Sequence, residues 1–331
     1  MTAPEKSPKV VFDPFSDEYF NDPYDIYLRM QDEAPVYYNE EHDFYALTRH
    51  ADVAAALKDH ETYSSSKGCD LSMVRSEEGP QKSIIFMDPP EHRVFRSLVN
   101  KAFTPRAVAR LNATIIDVIT ELIDAQTSAG RCDVVTDIAR PFPIPIICAL
   151  LGTPRHDWQL FSAWVADISK MFEFNLAADG PRILQAWQEL DGYLEHMIAR
   201  RRHELTDDLI SDLIRIEDDG DRLDHDELLT LAVTLLGAGT DTTRNQLAAA
   251  IDVFCDHPDQ WALLGERPEL AAGAVDEVMR YHPIGFNLPR LATEDVVLAG
   301  VQIPAGTLVF VNTAAANRDP AAFPEPDQFD I

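Results

Sequence analysis

The sequence predicts a mainly α-helical fold with small β-sheets, on three observations. Apolar residues recur at helical spacing through most of the chain. One such run, from about Asp224 to Cys255, is long enough for a helix of roughly 45 Å, the width of a whole domain. Strand-like runs of β-branched and aromatic residues are confined to 36–47 and 296–311. With 331 residues, 46% of them hydrophobic, no internal repeat and no low-complexity linker, the chain reads as a single domain over 1–331.

The elements follow in order. Pro23 to Asp32 is a short helix. Val36-Tyr37-Tyr38 and Phe44-Tyr45-Ala46-Leu47 form a hairpin around Asn39-Glu40-Glu41-His42, and Arg49 to Lys58 is helical again. Tyr63 to Met87 is rich in Ser and Gly and reads as a long loop, a frequent place for function. Asp88-Pro89-Pro90-Glu91 then opens a helix, with Asp88 as N-cap and prolines in the first turn. Further helices are predicted at Arg106 to Ser128, Thr136 to Leu151, Arg155 to Phe174, Pro181 to His203 and Asp207 to Ile216. The long central helix starts on the capping pair Asp224 and Glu227 and stops at His257-Pro258. A helix from Pro268 to Tyr281 follows, ended by Pro283. Val296 to Leu298, Val301 to Ile303 and Leu308 to Val311 then form a small sheet around turns at Ala299-Gly300 and Pro304-Ala305-Gly306. The stretch Asn317 to Ile331 is irregular.

Lys and Arg number 28 against 56 Asp and Glu, a net charge of −28, which excludes nucleic acid and anionic membrane as main partners. Residues 1–9 lack the apolar core of a signal peptide, and no stretch reads as approaching the roughly 18 apolar residues of a membrane span. A cytoplasmic protein is expected. Cys69, Cys132, Cys148 and Cys255 show neither paired nor metal-type spacing and read as free structural thiols.

Four constellations stand out. Within the central helix, Leu231 to Ala238 is apolar and so expected to be buried. Gly237 and Gly239 weaken it by about 1 kcal/mol each relative to Ala. Asp241, Thr242 and Thr243 follow at once. Ala238 and Thr242 share one face, where small residues would admit a flat molecule beside a hydroxyl, and Asp241 could pass protons inward. A simple packing notch with a satisfied Asp is the alternative. Glu277 and Arg280, three apart on a helix, can pair, although most such pairs are solvated surface charges. His92 and Arg96 lie four apart near a helix N-terminus, two donors suited to a carboxylate or phosphate. They sit in a stretch, 92–110, that carries Arg93, Lys101, Arg106 and Arg110 and no acid, either a basic surface helix or a docking patch for an acidic partner. Arg290, after Pro289, has no local partner.

In this order the motifs resemble those of the cytochrome P450 superfamily, the haem-thiolate monooxygenases, over essentially the whole chain. Ala238 to Thr243 is similar to the family's oxygen-site motif and Glu277 to Arg280 to its Glu-x-x-Arg helix. The stretch Asp88 to Arg106, Ile303-Pro304-Ala305-Gly306 and Asn317-Arg318-Asp319-Pro320 resemble a soluble bacterial member. The resemblance implies haem b as cofactor, an apolar small-molecule substrate, dioxygen, and a ferredoxin-type electron donor docking on the basic 92–110 stretch. It implies that His92, Arg96 and Arg290 bind the haem propionates. Ala238 and Gly239 would lie against the haem, Thr242 would hydrogen-bond dioxygen, Asp241 would relay protons, and Glu277 with Arg280 would be structural. The substrate pocket would be lined by the 63–87 loop, by Thr234, Gly237 and Ala238, and by Ile284 to Leu288.

Two departures qualify the resemblance. The family's thiolate ligand lies in a loop resembling Phe-Gly-x-Gly-x-His-x-Cys-x-Gly, expected after the irregular segment that ends at Phe329-Asp330-Ile331. None of the four cysteines sits in such a motif. The reading is therefore a family member lacking its C-terminal portion, inactive as this chain alone. The rival is a haem-free, non-enzymatic remnant on the same fold. A third reading recruits His92 or His282 as iron ligand. The second departure is Gln328, where the family often has Arg. An Arg shortly past Ile331 could substitute; without one, Glu277 and Arg280 are expected to rely on each other, a poorer arrangement if buried.

Overall fold

The computed structural model describes residues 10–68, 73–74, 83–170, 176–218 and 225–331. In chain order come α1 (Asp17–Asn21), α2 (Tyr24–Glu33), β1 (Val36–Asn39), β2 (Phe44–Leu47), α3 (His50–Ala56) and β3 (Tyr63–Ser64). Then follow α4 (Glu91–Ala102), α5 (Pro105–Ala109), α6 (Asn112–Thr127), a π-helical turn at Val134–Ala139, α7 (Pro143–Leu151), α8 (Trp158–Ser169), α9 (Leu176–His203), α10 (Leu209–Asp218) and α11 (His225–Asp256). The chain closes with α12 (Pro258–Glu266), α13 (Ala271–Tyr281), β4 (Asn287–Ala292), β5 (Val296–Leu298), β6 (Val301–Ile303), β7 (Leu308–Asn312) and α14 (Thr313–Ala316). Its contacts divide it into two compact units. One comprises Met1–Gln81, Ile85–Pro89 and Val253–Ile331; the other comprises Lys82–Ile84 and Pro90–Asp252.

The first unit is built on a five-stranded sheet of order β1-β2-β7-β4-β3. β1 and β2 pair antiparallel, with Val36 opposite Leu47, and Asp43 at positive φ turns the hairpin. β7 runs parallel to β2 and antiparallel to β4, with Leu308 opposite both Phe44 and Leu291. All five β7 residues are buried, as a central strand covered on both faces requires. Phe12 packs edge-on against Tyr19, Tyr37 and Phe44 under the hairpin, with Tyr27 and Met30 of α2 fully buried beside them. Gln31 ties α2 to the turns around it, donating through Nε2 to the carbonyls of Ala315 (2.7 Å) and Thr48 (3.2 Å). β5 and β6 form a separate antiparallel ladder.

The second unit is helical. Phe161 of α8 meets Trp164 and Tyr193 edge-on, and Leu190, Leu194 and Ile198 of α9 with Leu209, Ile210, Leu213 and Ile214 of α10 complete its core. A buried ion pair closes the α9–α10 corner. Arg201 Nε lies 2.6 Å from Asp208 Oδ2, and Arg201 Nη2 donates to the Gly152 carbonyl at 2.8 Å. Asp208 Oδ1 also accepts from the Ser211 amide at 2.8 Å, at the start of α10. Gly152 ends α7 at φ 82°, and a Cβ there would collide with the Asp208 carboxylate.

Several expectations are corrected. Asp88 does not cap α4: the helix begins on Pro90 without a side-chain cap. Asp88 instead accepts from the Ser65 amide at 2.9 Å and from the Ser64 hydroxyl, fastening its segment to the end of β3. The 36–47 hairpin joins β7 directly, with β4, a strand not foreseen, on the far side of β7, while β5 and β6 stand apart from that sheet instead of sharing one with β7. The predicted 136–151 helix breaks at Arg140–Phe142 between the π turn and α7, and the predicted 106–128 helix divides into α5 and α6. Pro181 lies inside α9 rather than at its start. His257-Pro258 does stop α11, but Pro258 immediately opens α12. Asp224 of the capping pair and Phe174 fall outside the described residues. Among the described residues one window, Val134–Leu151, does meet the length and hydropathy of a membrane span, against the expectation that none would. It contains Asp137 and Arg140, is interrupted between its two helical pieces, and packs through α7 on α6, α8 and α10.

Candidate functional site

The central helix α11 is continuous from His225 to Asp256. Leu231, Ala232, Val233 and Leu236 are buried, as the apolar run predicts, whereas Gly237, Ala238, Thr242 and Thr243 are exposed. The threonines bond back along the helix. Thr234 donates to the Thr230 carbonyl (2.7 Å), Thr240 to that of Leu236 (2.6 Å) and Thr242 to that of Ala238 (2.7 Å). The Thr242 hydroxyl thus spends its one proton on Ala238 and keeps its lone pairs for a donor on the exposed side. Ser83, at the end of the predicted pocket loop, places its hydroxyl 3.4 Å from that of Thr234. Residues 69–72 and 75–82 of that loop lie outside the described residues.

The two glycines differ. A Cβ on Gly239 would come within 2.5 Å of Ile147 Cδ1, so the missing side chain there admits α7 rather than a flat ligand. Around Gly237, among the described residues and apart from the helix's own nearby backbone, no heavy atom stands within 4 Å of such a Cβ. Gly237→Ala is therefore expected to gain about 1 kcal/mol of helix propensity. Gly239→Ala is expected to gain nothing or lose stability, and to recover in combination with Ile147→Val. Thermal melting of the three variants checks the contrast.

Asp241 is half-buried. Its Oδ2 accepts from the Ser169 hydroxyl at the end of α8 (2.7 Å), and its Oδ1 lies 2.9 Å from Arg244 Nη2. The arginine contact is an ion pair without hydrogen-bond alignment, since Oδ1 is buried and has no aligned donor. Arg244 was legible from its i,i+3 spacing. Ser169, 72 residues away, left no signal in the sequence.

On α4, Phe95, Leu98 and Val99 form the buried face, leaving His92 half-buried and Arg93 and Arg96 exposed. Among the described residues neither His92 nor Arg96 has an acidic partner. Arg110 pairs with Asp207 and, at 3.4 Å, with Asp212, so its charge is not available to a partner. The Lys101 and Arg106 side chains lie outside the description.

In the first unit, Arg290 of β4 is half-buried. Burial pulls its guanidinium below the usual arginine range, against the opposing pull of Asp88. Its one hydrogen bond among the described residues goes to the Pro289 carbonyl at 2.8 Å. A half-buried cation with no carboxylate in contact among the described residues is chemically suited to an anion. Glu277 and Arg280 meet in a two-pronged pair, Nε to Oε2 at 2.7 Å and Nη2 to Oε1 at 2.8 Å. They do not rely on each other alone. Arg280 also donates to the carbonyls of Pro326 (2.8 Å), Gln328 (2.8 Å) and Asn317 (3.1 Å), and Glu277 accepts from the Asp330 amide (3.1 Å). Burial would raise the Glu277 carboxyl, but the bonds from Arg280 and Asp330 hold it below the usual range. The Asp330 amide thus gives Glu277 a further donor, and backbone carbonyls take up the remaining donors of Arg280.

Of the four cysteines, Cys69 lies outside the described residues. Cys148 is buried, and burial pushes its thiol up to about 12, so it is not a thiolate. Cys132 and Cys255 are exposed, the first beyond α6 and the second near the end of α11. Among the described residues no cluster of three or more His, Cys, Asp or Glu could hold a metal ion.

The threonine–acid pair on the longest helix and the Glu-x-x-Arg clamp on α13 are the two motifs that carried the resemblance to the haem-thiolate monooxygenases. A family profile described as Cytochrome P450 matches residues 29–331, and the chain belongs to that family. It is 36% identical to the vitamin D(3) 25-hydroxylase of Pseudonocardia autotrophica over 96% of this chain and 79% of that relative. It is 38% identical to the mycinamicin IV hydroxylase/epoxidase of Micromonospora griseorubida over 86% of this chain and 72% of the relative. Among solved structures, CalO2 superposes with a TM-score of 0.88 at 32% identity, covering 97% of this chain and 82% of CalO2. A cytochrome P450 from Bacillus megaterium in complex with corticosterone gives 0.86 at 30% identity, covering 95% and 81%. Haem b is the cofactor of this family, and haem-dependent monooxygenation its general activity; the thiolate ligand is not among the residues of this chain.

Proposed function

We propose that the protein takes part in haem-dependent oxidation of an apolar small molecule, with dioxygen and with electrons from a ferredoxin-type donor, in the cytoplasm, and that residues 1–331 belong to one domain. The observation that carries the reading is the Thr242 hydroxyl, exposed on α11 beside Asp241 with its proton already committed to Ala238. The relatives named for vitamin D(3), mycinamicin IV and corticosterone support an apolar substrate class.

The residues fit the carboxylates of haem but supply no thiolate for its iron, so no step is derived through the metal. His92, Arg96 and Arg290 would hold the propionates, with Ala238 on the helix facing the macrocycle, whereas the missing side chain of Gly239 makes room for Ile147. Haem, when bound, supplies the iron centre at which dioxygen is reduced. Thr242 presents an acceptor oxygen at the reacting face. Asp241 takes protons from solvent and passes them inward through its carboxylate. Glu277 and Arg280 act on the fold. The exposed Arg93 belongs to the surface offered to an acidic donor.

Haem titration of the chain, followed by its visible absorption, tests the reading. Arg290→Ala is expected to weaken binding about tenfold, the loss of one charge-assisted hydrogen bond, and the double change His92→Ala with Arg96→Ala about a hundredfold, the loss of two. Absence of haem uptake by the chain, together with absence of oxidation after fusion of a family cysteine loop behind Ile331, would establish the haem-free alternative.

A further inference from the structure

We infer that the facing hydroxyls of Ser83 and Thr234 recognise a hydroxyl on the substrate, which makes that substrate an apolar alcohol oxidised away from its own oxygen. This rests on the function proposed above, in which the exposed face of α11 meets the substrate.

The two residues are 151 apart in the chain and belong to the same compact unit. Their side-chain oxygens stand 3.4 Å apart, longer than the roughly 2.5–3.0 Å of a well-formed O–H···O bond. Thr234 has one proton and gives it to the Thr230 carbonyl at 2.7 Å, so its Oγ1 can only accept. Ser83 has no other partner among the described residues, and its proton can turn to a better acceptor. The pair thus offers one donor and one acceptor side by side, close enough to bond a third oxygen in common. A hydroxyl matches both: its oxygen accepts from Ser83 and its proton goes to Thr234. A carbonyl oxygen matches Ser83 alone and leaves the Thr234 acceptor unpaired. A site built to bond a hydroxyl discriminates against an analogue that lacks it for this reason.

The neighbouring part of the face carries no polar side chain. Thr234, Ala238 and Thr242 follow one another at intervals of four along one side of α11. Gly237 and Ala238, between the two threonines, are exposed and suit hydrocarbon. At roughly 1.5 Å of rise per residue, Thr234 stands about 6 Å before Ala238 and about 12 Å before Thr242. A molecule held by its hydroxyl at Ser83 and Thr234 therefore presents its hydrocarbon part to Thr242. Oxidation falls on a remote carbon, not on the carbon that bears the hydroxyl.

Equilibrium dialysis of the chain against cholestanol, cholestanone and cholestane reads the recognition without haem. The three share one skeleton and carry a hydroxyl, a carbonyl and no oxygen. Ser83→Ala is expected to weaken binding of the alcohol and of the ketone about tenfold, the loss of one hydrogen bond. Thr234→Val is expected to weaken the alcohol alone, again about tenfold. Cholestane is expected to bind all three proteins equally, and circular dichroism confirms that each variant is folded. Any other pattern overturns the inference: no binding of cholestanol, unchanged affinities, a selective loss in one variant alone, or an equal loss for cholestane, which would make the contact a structural tie. The oxidative function is tested separately, by haem uptake and by oxidation after fusion of the cysteine loop. If both fail while the dialysis pattern holds, the oxidative reading falls and the alcohol site stands. If the fused protein oxidises apolar molecules and the pattern fails, the alcohol site falls alone.

Discussion

Asp208→Ala is expected to destabilise the protein by about 3–5 kcal/mol, as removal of one partner from a buried ion pair does. Asp208 is 5% exposed, and its loss leaves the Arg201 guanidinium buried beside the Gly152 carbonyl without its counter-ion. It also strips the Ser211 amide of its acceptor at the start of α10. Asp208→Asn keeps an acceptor and removes the charge, so a smaller loss is expected. Burial alone would raise the Asp208 carboxyl. Hydrogen bonds from Thr206, Ser211 and Arg201 outweigh burial and hold it below the usual range. Its stabilisation is thus complete above the unfolded value of about 4 and is lost as pH falls through the lower folded value. Urea unfolding at neutral pH and at successively lower pH checks both points: the advantage of the parent over Asp208→Asn narrows in acid. A parent-like midpoint for Asp208→Ala would show that Arg201 finds another partner.

Arg280→Ala is expected to cost a similar amount, about 3–5 kcal/mol, for a different reason. One guanidinium serves Glu277 and three carbonyls from Asn317 to Gln328, so its removal leaves a carboxylate and several acceptors unpaired at once. The stretch from Asn317 to Ile331 has no regular structure beyond its first turns, and its order depends on this clamp and on Phe329, which packs against Phe254, His257 and Tyr281. Hydrogen exchange is expected to rise first at the Asp330 amide, the donor to Glu277. Arg280→Lys is not expected to rescue, because an ammonium cannot present a planar fork to a carboxylate and still reach carbonyls on the other side. Rescue by Lys would mean that charge alone holds the segment.

The clamp also shows how far sequence reasoning reaches. The pairing of Glu277 and Arg280 follows from their helical spacing. What surrounds the pair does not, because the carbonyls that accept from Arg280 and the amide that donates to Glu277 are backbone groups, identical at every residue, and carry no code. Helix α12 went unforeseen because it has no buried residue and leaves Trp261 half exposed, so no core-facing stripe marks it. Strand β4 was hidden by Pro289, which argues against an interior strand. The register explains it: β3 reaches only Leu291 and Ala292, so at Pro289 β4 has a neighbour on one side alone.

The sequence by itself determined the mainly helical class, the long central helix, the threonine and acid on it, and the family to which they belong. Those features repeat at fixed local intervals, and the helix period turns interval into geometry. Tertiary structure alone decided where individual polar groups spend their bonds. Asp88 turns to Ser64 and Ser65 instead of a helix end, Gly239 makes room for Ile147, and Asp241 is held from another helix by Ser169. Each of those choices joins residues far apart in the chain, where distance is set by packing and no local spacing records it.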